Sequence, residues 1–222
     1  MRMCRKLRRS GSPEISDISR ENVPDFRDVH VFEEEIILKR MKTKDLVLCA
    51  MFVALIAVGA FIKVPVPVVP FTLQFLFTML AGLLLGPGNG ALAVVIYIVL
   101  GLAGLPIFTQ GGGPSYIFQP SFGYIIGFAA AAYVTGRIAN EKSHPGYGRL
   151  LAANFIGLFI VYAFGMVYYY VISNFVLNTP IGLWPLFLYC FLLAVPGDIA
   201  LCILAAVIGK RMIPMIREGR LG

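Results

Sequence analysis

Long apolar runs, separated by short segments rich in Gly and Pro, dominate the chain after residue 45. Runs such as LAGLLLG and LAVVIYIVLG lack the in/out alternation of barrel strands, so this pattern favours helices. Gly, Pro and charged residues interrupt the apolar runs and so divide the chain into six predicted helices. Their expected bounds are Lys44–Lys63, Phe71–Gly86, Asn89–Leu105, Gln119–Ala139, Arg149–Phe175 and Leu183–Gly209.

The distribution of charge indicates which solvent surrounds these helices. No charged residue occurs from Val64 to Gly136, and the whole chain is 58% hydrophobic and 14% charged. A soluble surface carries far more charge, whereas a bilayer crossing needs about 20 mostly apolar residues. The chain is therefore predicted to be an all-α integral membrane protein with six transmembrane helices.

Lys and Arg residues predict the orientation of the six helices. Six crossings place both termini and the segments 86–90 and 140–148 on one side, which carries nearly all basic residues. The opposite segments, 64–70, 106–118 and 176–182, contain no charge. By the positive-inside rule, both termini are cytoplasmic. This topology accounts for the net charge of +7, and nucleic-acid binding is not needed to explain it.

The first forty residues differ in composition from the rest. They are mixed in charge and lack the apolar core of a signal peptide, so residues 1–40 are expected to form a disordered cytoplasmic tail. Met41 is followed by a basic flank and then by the first apolar run, which is typical of a chain start. We expect residues 41–222 to form the complete transmembrane domain and assign no function to the tail.

Asp198 is the only charged residue between Arg149 and Lys210. An unpaired carboxylate inside a membrane costs roughly 2.5–3.5 kcal/mol or more, so an acid at this place indicates a functional site. One alternative stays open, in which tyrosine hydroxyls or the backbone beside a break in the last helix satisfy Asp198. Tyr162 in the fifth helix is a candidate hydroxyl donor.

Motifs for ATP or metal chemistry are absent from the sequence. No GxxxxGK[ST] occurs, and the glycine run QGGGPS lacks its Lys. The four cysteines are scattered without a CxxC pair. No cofactor or metal is expected, and uphill transport would need energy from another protein.

Two outer segments rich in Gly, Pro and aromatic residues suit either a small-molecule pocket or ordinary turns.

Four stretches resemble a known family, in the order PVPVVPFTLQ (Pro65–Gln74), AGLLLGPGNGALAVVIYIVLGLAGLPIF (Ala81–Phe108), GGGPSYIFQPSFGYIIGF (Gly111–Phe128) and VPGDI (Val195–Ile199). Together they resemble the BioY family, the biotin-specific substrate-binding (S) components of energy-coupling-factor (ECF) transporters. The resemblance spans about Met41 to Met212. It implies an S-component-like bundle in the cell membrane that captures biotin from outside. Its implied partners are a transmembrane coupling protein and a pair of cytoplasmic ATPases.

The resemblance also implies a set of ligand-binding residues. An ionised Asp198, at the Gly-Asp pair of the family, can accept a ureido N–H of biotin. Many relatives carry a Lys within a turn after this Asp, where this chain has Leu201 and Cys202. The group that binds the biotin carboxylate is thus left open. The expected ligand-binding residues are Asp198, Gln74, Thr109, Gln110, Gly111, Gly112, Tyr124 and Tyr162.

Further candidates each have a plain structural alternative. The backbone of Gly111–Gly113 is expected to present N–H groups to the ligand. Lys63 is the only cation at the outer ends of the helices, and snorkelling to the interface explains it equally well. Aromatic candidates for walls around the thiophane ring, for each of which core or lipid-facing packing is the alternative, are Phe71, Phe108, Phe118 and Trp184.

Ala50 and Ala54 form an AxxxA step in the first helix. Small residues four apart let two helices approach closely, which is a main source of helix association in lipid. The resemblance implies that this step docks the coupling protein. Packing inside the bundle is the alternative.

Other functions remain compatible with the residues. The same architecture could serve another vitamin or act alone as a facilitator. From a different class, the chain could be a non-transporting membrane subunit or an enzyme that uses Asp198 as a general base. An enzyme would need a second catalytic group within reach, and none is evident in the sequence. Binding of biotin to the purified protein discriminates between these interpretations.

Overall fold

The computed structural model describes residues 43–64, 71–142, 144–177, 181–192 and 194–221. The predicted tail, residues 1–40, and the Pro-rich part of the first outer segment, residues 65–70, lie outside the described residues.

Helices make up nearly all of the described chain. In chain order the elements are α1 (Thr43–Phe61), β1 (Lys63–Val64), β2 (Phe71–Thr72), α2 (Gln74–Leu85), α3 (Pro87–Leu102), a 3-10 helix (Pro114–Phe118), α4 (Phe122–Asn140), α5 (Tyr147–Val171), α6 (Leu183–Phe187) and α7 (Val195–Leu221). π-helical turns follow α5 over Ile172–Val176 and α6 over Leu188–Leu192. The short strands β1 and β2 pair antiparallel, with Lys63 opposite Thr72.

The central helix of the bundle is α2, which packs against α1, α3, α4 and α7. Every α2 residue except Phe77 is buried. Glycines bring α2 and α4 close together: a Cβ at Gly82 would lie 2.5 Å from the carbonyl oxygen of Ala132, and one at Gly136 would lie 2.7 Å from that of Gly82. Such close backbone packing holds helices together where no water is present to drive association.

A single residue, Gly86, joins α2 to α3. Its φ of 88° lies in the region that favours glycine. Pro87 then opens α3 at a position where a missing N–H breaks no helical hydrogen bond. The predicted turn over residues 86–90 is therefore too long, because residues 87–90 already belong to α3.

Four helices of the described residues are long and apolar enough to cross a membrane: Thr43–Phe61, Phe122–Asn140, Tyr147–Val176 and Val195–Ile216. The shorter apolar helices α2 and α3 have 12 and 16 residues. At 1.5 Å per residue they are about 18 and 24 Å long, less than a hydrocarbon core of ~30 Å. The fold is that of a multi-pass helical membrane protein, while the number of six crossings and the side of the termini stay predictions.

The predicted continuous last helix, Leu183–Gly209, is wrong. α6 and its π-helical turn end at Leu192, and α7 starts separately at Val195 and continues to Leu221. Pro196 accounts for this division, since proline lacks an N–H and fits only the first turn of a helix without a kink. The predicted second helix also starts later than expected, at Gln74, because Phe71 and Thr72 form β2.

Candidate functional site

Asp198 lies in the first turn of α7 and is 8% exposed. Its own N–H donates to the carbonyl oxygen of Ala194 at 3.2 Å. The free N–H groups and the positive end of the dipole at a helix N-terminus favour a negative charge. The break in the last helix that the sequence left as an alternative is therefore present, and the carboxylate lies at a helix start, which stabilises it.

Tyr162 of α5 reaches across to this carboxylate. Its hydroxyl donates to Oδ2 of Asp198 at 2.5 Å, and the tyrosine is 3% exposed. The hydroxyl contact that the sequence suggested is present and joins α5 to α7. No hydrogen bond to the second oxygen, Oδ1, is found within the part of the chain that the structure describes. The carboxylate therefore has acceptor capacity that Tyr162 does not use.

Two aromatic rings pack against the ring of Tyr162. The rings of Tyr124 in α4 and Phe191 before α7 lie edge-on to Tyr162, with centroids 5.9 and 5.3 Å away. Tyr124 fits because residue 165 of α5 is glycine: a Cβ there would lie 2.4 Å from the Tyr124 ring. We call Asp198, Tyr162, Tyr124 and Phe191 the Asp198 cluster.

The aromatic row continues from Phe191 towards the start of α6. Phe187 stacks on Phe191 with centroids 5.0 Å apart, and Trp184 stacks on Phe187 at 6.4 Å. Trp184, a predicted wall residue, is 73% exposed and sits at the outer end of this row. Phe187 and Phe191 are not among the residues expected from the sequence. Their spacing from Trp184 and from each other, three and then four residues, is a one-face helical pattern that could have identified them.

The outer segment after α3 is built around Phe108. This ring is fully buried between Tyr97 and Tyr116, with centroids 5.3 and 4.5 Å away. It also lies directly over Gly101 of α3, where a Cβ would be 2.1 Å from the ring. Phe108 is thus a packing residue that anchors the segment on α3.

A line of hydroxyl groups follows Phe108. Thr109 Oγ1 is hydrogen-bonded to the Tyr116 hydroxyl at 2.9 Å, and that hydroxyl lies 3.4 Å from Ser121 Oγ. Lys63 joins from β1, since its Nζ donates to the Thr109 carbonyl oxygen at 3.0 Å. We call Lys63, Thr109, Tyr116 and Ser121 the Thr109 network.

The glycines of this segment do not present their N–H groups as expected. The Gly111 N–H donates to the Phe108 carbonyl oxygen at 3.2 Å, and the Gly113 N–H donates to that of Gly101 at 2.7 Å. Both donors are therefore used inside the protein, which corrects the prediction for these two residues. Gly112 has no room for a side chain, since a Cβ would lie 2.0 Å from the Leu105 carbonyl oxygen. Gln110 is exposed at the tip of the turn.

Gln74 opens α2 and is 2% exposed. Its side chain lies beside the Tyr97 hydroxyl, which itself donates to the Ile107 carbonyl oxygen at 2.9 Å. Its amide nitrogen, Nε2, has no hydrogen-bond partner of acceptable geometry among the described residues. A buried donor without a partner is unusual and marks a place where another polar group can bind.

Three of the remaining predicted residues, Phe118, Ala50 and Ala54, are exposed. Phe118 is 56% exposed, and the side chain of Phe71 is outside the described part. Ala50 and Ala54 are both exposed on α1, so neither packs inside this chain. The predicted site residues thus fall into two groups, the Asp198 cluster and the Thr109 network, with Gln74 near the second through Tyr97. No group of three or more His, Cys, Asp or Glu residues that could hold a metal ion occurs within the described ranges.

Comparisons with known proteins place the chain in a family. The sequence model of the BioY family matches residues 34–218. A probable biotin transporter BioY from Lysinibacillus sphaericus is 47% identical over 184 residues, which cover 83% of this chain and 94% of that protein. The biotin transporter BioY of Thermotoga maritima is 41% identical over 124 residues, covering 55% and 72% of the two chains.

A solved structure agrees with these relatives. The crystal structure of the S-component for biotin from an ECF-type ABC transporter matches with a TM-score of 0.64 and 30% identity, over 78% of this chain and 94% of that one. The match of sequence and fold extends over nearly the whole transmembrane part. The chain therefore belongs to the BioY family.

Proposed function

We propose that this protein captures biotin and takes part in its uptake as the S component of an ECF-type transporter. Its relatives in the BioY family are biotin transporters, and the structural relative is a biotin S-component. The observation that carries the proposal within this chain is the Asp198 cluster: a buried carboxylate whose Oδ2 accepts from Tyr162, whose Oδ1 has no hydrogen bond among the described residues, and whose tyrosine partner packs against two aromatic rings. We take this cluster as the place where the ring system of biotin binds.

The chemistry of biotin fits the Asp198 cluster. Its ureido ring carries two N–H donors, and an ionised carboxylate only accepts hydrogen bonds, so Asp198 can bind one of them through Oδ1. Tyr162 holds Oδ2 and thereby orients the carboxylate. Tyr124 and Phe191 provide apolar surface for the thiophane ring. A pocket of apolar walls with a few fixed polar groups is the usual form of a small-molecule site.

The other expected ligand-binding residues belong to the outer end of the site. The unpartnered Nε2 of Gln74 is a donor that suits an oxygen of the ligand. Thr109 offers a hydroxyl, while Gln110, Gly111 and Gly112 form the exposed turn beside it. We propose that this turn closes against bound biotin and that Gln74 and Thr109 contact it.

The chain is a membrane-embedded binding subunit and not an enzyme. We propose that its partners are a transmembrane coupling protein and a pair of ATPases, and that it works in the plasma membrane. The absence of an ATP-binding motif from the sequence supports this division of work. The exposed Ala50 and Ala54 on α1 are the proposed docking surface for the coupling protein.

The test of the proposed function is biotin binding by the purified protein and by its Asp198→Asn variant. Asparagine keeps the size but replaces an acceptor by a mixed group, so one ureido hydrogen bond is lost. A hydrogen bond to a charged group is worth ~1.5–3 kcal/mol, which predicts roughly 10- to 150-fold weaker binding. Isothermal titration with biotin measures this difference.

A matched control is Asp45→Asn, which removes the acid in the first turn of α1. This variant should bind biotin as the unchanged protein does. A wild-type protein that binds another vitamin in preference to biotin would contradict the proposed function. Equal biotin affinity of the Asp198→Asn variant and the wild type would leave Asp198 with a structural role only.

A further inference from the structure

Lys63 is a cation with no counter-ion among the described residues. In the sequence it is the only charged residue between Asp45 and Arg137. The one ion pair within the described residues joins Arg149 to Glu141 and does not involve Lys63. Its Nζ donates to the Thr109 carbonyl oxygen at 3.0 Å, which uses one of the three ammonium donors. The other two donors are available to an anion.

The elements around Lys63 bring further donors to the same end of the bundle. The β1–β2 pair places Lys63 opposite Thr72, two residues before Gln74. Gln74 contributes the buried Nε2, which lies beside the Tyr97 hydroxyl but makes no hydrogen bond of acceptable geometry among the residues described. Thr109, whose carbonyl oxygen accepts from the Lys63 ammonium, also carries a hydroxyl that is hydrogen-bonded to the Tyr116 hydroxyl. A cation, an amide donor and a hydroxyl therefore come from three segments, and all three are groups that bind a carboxylate.

From these contacts we propose that Lys63 binds the carboxylate of biotin. The proposal rests on biotin as the ligand. Biotin is anionic at one end of its valeryl chain and offers N–H donors at the other. Asp198 repels the anionic end and accepts from the donor end, whereas Lys63 attracts the anionic end. The two charges therefore fix the direction in which biotin lies.

A contact between Lys63 and the biotin carboxylate predicts a preference for anionic ligands. A ligand with the same rings but a neutral end loses the attraction of Lys63 and keeps every other contact. Biotinamide is such a ligand, because an amide replaces the carboxylate. An exposed ion pair contributes up to about 1 kcal/mol and a charge-assisted hydrogen bond about 1.5 kcal/mol, which correspond to roughly 5- to 13-fold in affinity. Wild-type protein is expected to prefer biotin over biotinamide by about this factor.

The experiment measures both ligands against the full chain and two variants. Lys63→Gln retains a donor for the Thr109 carbonyl oxygen but removes the charge, and Lys63→Arg retains the charge. Lys63→Gln is expected to weaken the binding of biotin by roughly 5- to 13-fold and to leave the binding of biotinamide unchanged, so that the preference for biotin is lost. Lys63→Arg is expected to keep most of the preference for biotin. Lys44→Gln, at the other end of α1, is the matched control and should change neither ligand.

Several results would overturn the assignment. Equal weakening of both ligands by Lys63→Gln would mean that Lys63 only fastens the outer segment through Thr109. An unchanged preference in that variant, or a wild type with no preference for biotin, would assign the carboxylate to another group. Binding of neither ligand by the wild type would instead refute the proposed function, and the role of Lys63 with it.

Discussion

At the scale of single residues, a carboxylate inside an apolar bundle depends on its neighbours. Asp198 accepts a hydrogen bond from the Tyr162 hydroxyl, and it lies in the N-terminal turn of α7. Either arrangement lowers the cost of a charge in a membrane, which is at least roughly 2.5 kcal/mol without such partners. The second carboxylate oxygen has no hydrogen bond within the described part of the chain, and we propose that it accepts from the ligand. The same two contacts thus stabilise the acid and orient it.

Gly165 is a residue on which the shape of the Asp198 cluster depends. A Cβ at this position would lie 2.4 Å from the Tyr124 ring, which is buried and lies edge-on to Tyr162. Gly165→Ala must therefore displace Tyr124. We expect a loss of about 1–3 kcal/mol in stability, as is usual for overpacking, together with weaker biotin binding. Thermal unfolding in detergent and biotin titration measure the two effects.

The matched control for this prediction is Gly148→Ala in the first turn of the same helix, where an added Cβ meets nothing within 4 Å. Alanine is the better helix former, so this variant should be neutral or slightly more stable. If Gly165→Ala behaves like Gly148→Ala in both measurements, Tyr124 does not border the biotin site.

The sequence reveals some of these residues and not others. Asp198 is conspicuous because it is a lone charge in an apolar run, and Tyr162 follows as a donor within reach on a neighbouring helix. Phe187 and Phe191 were missed, since aromatic residues in a membrane helix have no marked chemistry of their own. The N–H groups of Gly111 and Gly113 were assigned to the ligand, but the turn uses them for its own hydrogen bonds. Such internal bonds depend on the folded path of the turn.

At the scale of elements, the existence of the helices could be predicted and some of their ends could not. Apolar runs mark α1, α4 and α5 to within three residues at most ends, because hydrophobicity decides which segments enter the membrane. The sequence leaves a break in the last helix only as an alternative, whereas the structure divides this segment into α6 and α7. A run of apolar letters continues through it, and only the local backbone decides whether Pro196 lies within a helix or begins one.

This division has a consequence for the site. Because α7 starts at Val195, Asp198 is at a helix N-terminus, and Phe191 lies in the π-helical turn on the other side of the break. π-helical turns and broken helices are frequent at binding sites in membrane proteins, where irregular backbone lines a cavity. The break therefore brings an acid and an aromatic ring to Tyr162 from two separate segments.

At the scale of the whole molecule, the transmembrane domain is expected to act without the tail. A chain that begins at Met41 contains every described helix and all proposed site residues. We predict that it inserts into the membrane and binds biotin with unchanged affinity. Membrane fractionation and biotin titration test the two parts of this prediction.

The family match starts at residue 34, so a second truncation that retains residues 34–40 serves as the matched control. Both truncations should behave like the full chain. Failure of the Met41 chain to reach the membrane, with success of the longer one, would assign residues 34–40 a part in insertion. Failure of both, with a normal full chain, would assign that part to the tail before residue 34.

Assembly with the coupling protein is expected to depend on the exposed face of α1. Ala50 and Ala54 do not pack inside this chain, so a large side chain at either position leaves the bundle intact. Lipid accommodates an exposed Trp, whereas a close helix–helix contact does not. Ala50→Trp and Ala54→Trp should therefore fold and bind biotin normally, copurify poorly with the coupling protein and lose ATP-driven uptake.

The matched control is Ile156→Trp on α5. Ile156 is also exposed and lies about as far from the start of its helix, and this variant should assemble normally. A loss of biotin binding in Ala50→Trp and Ala54→Trp would contradict the docking surface, because an exposed position should tolerate a large side chain, and normal assembly of both would place the contact with the coupling protein elsewhere.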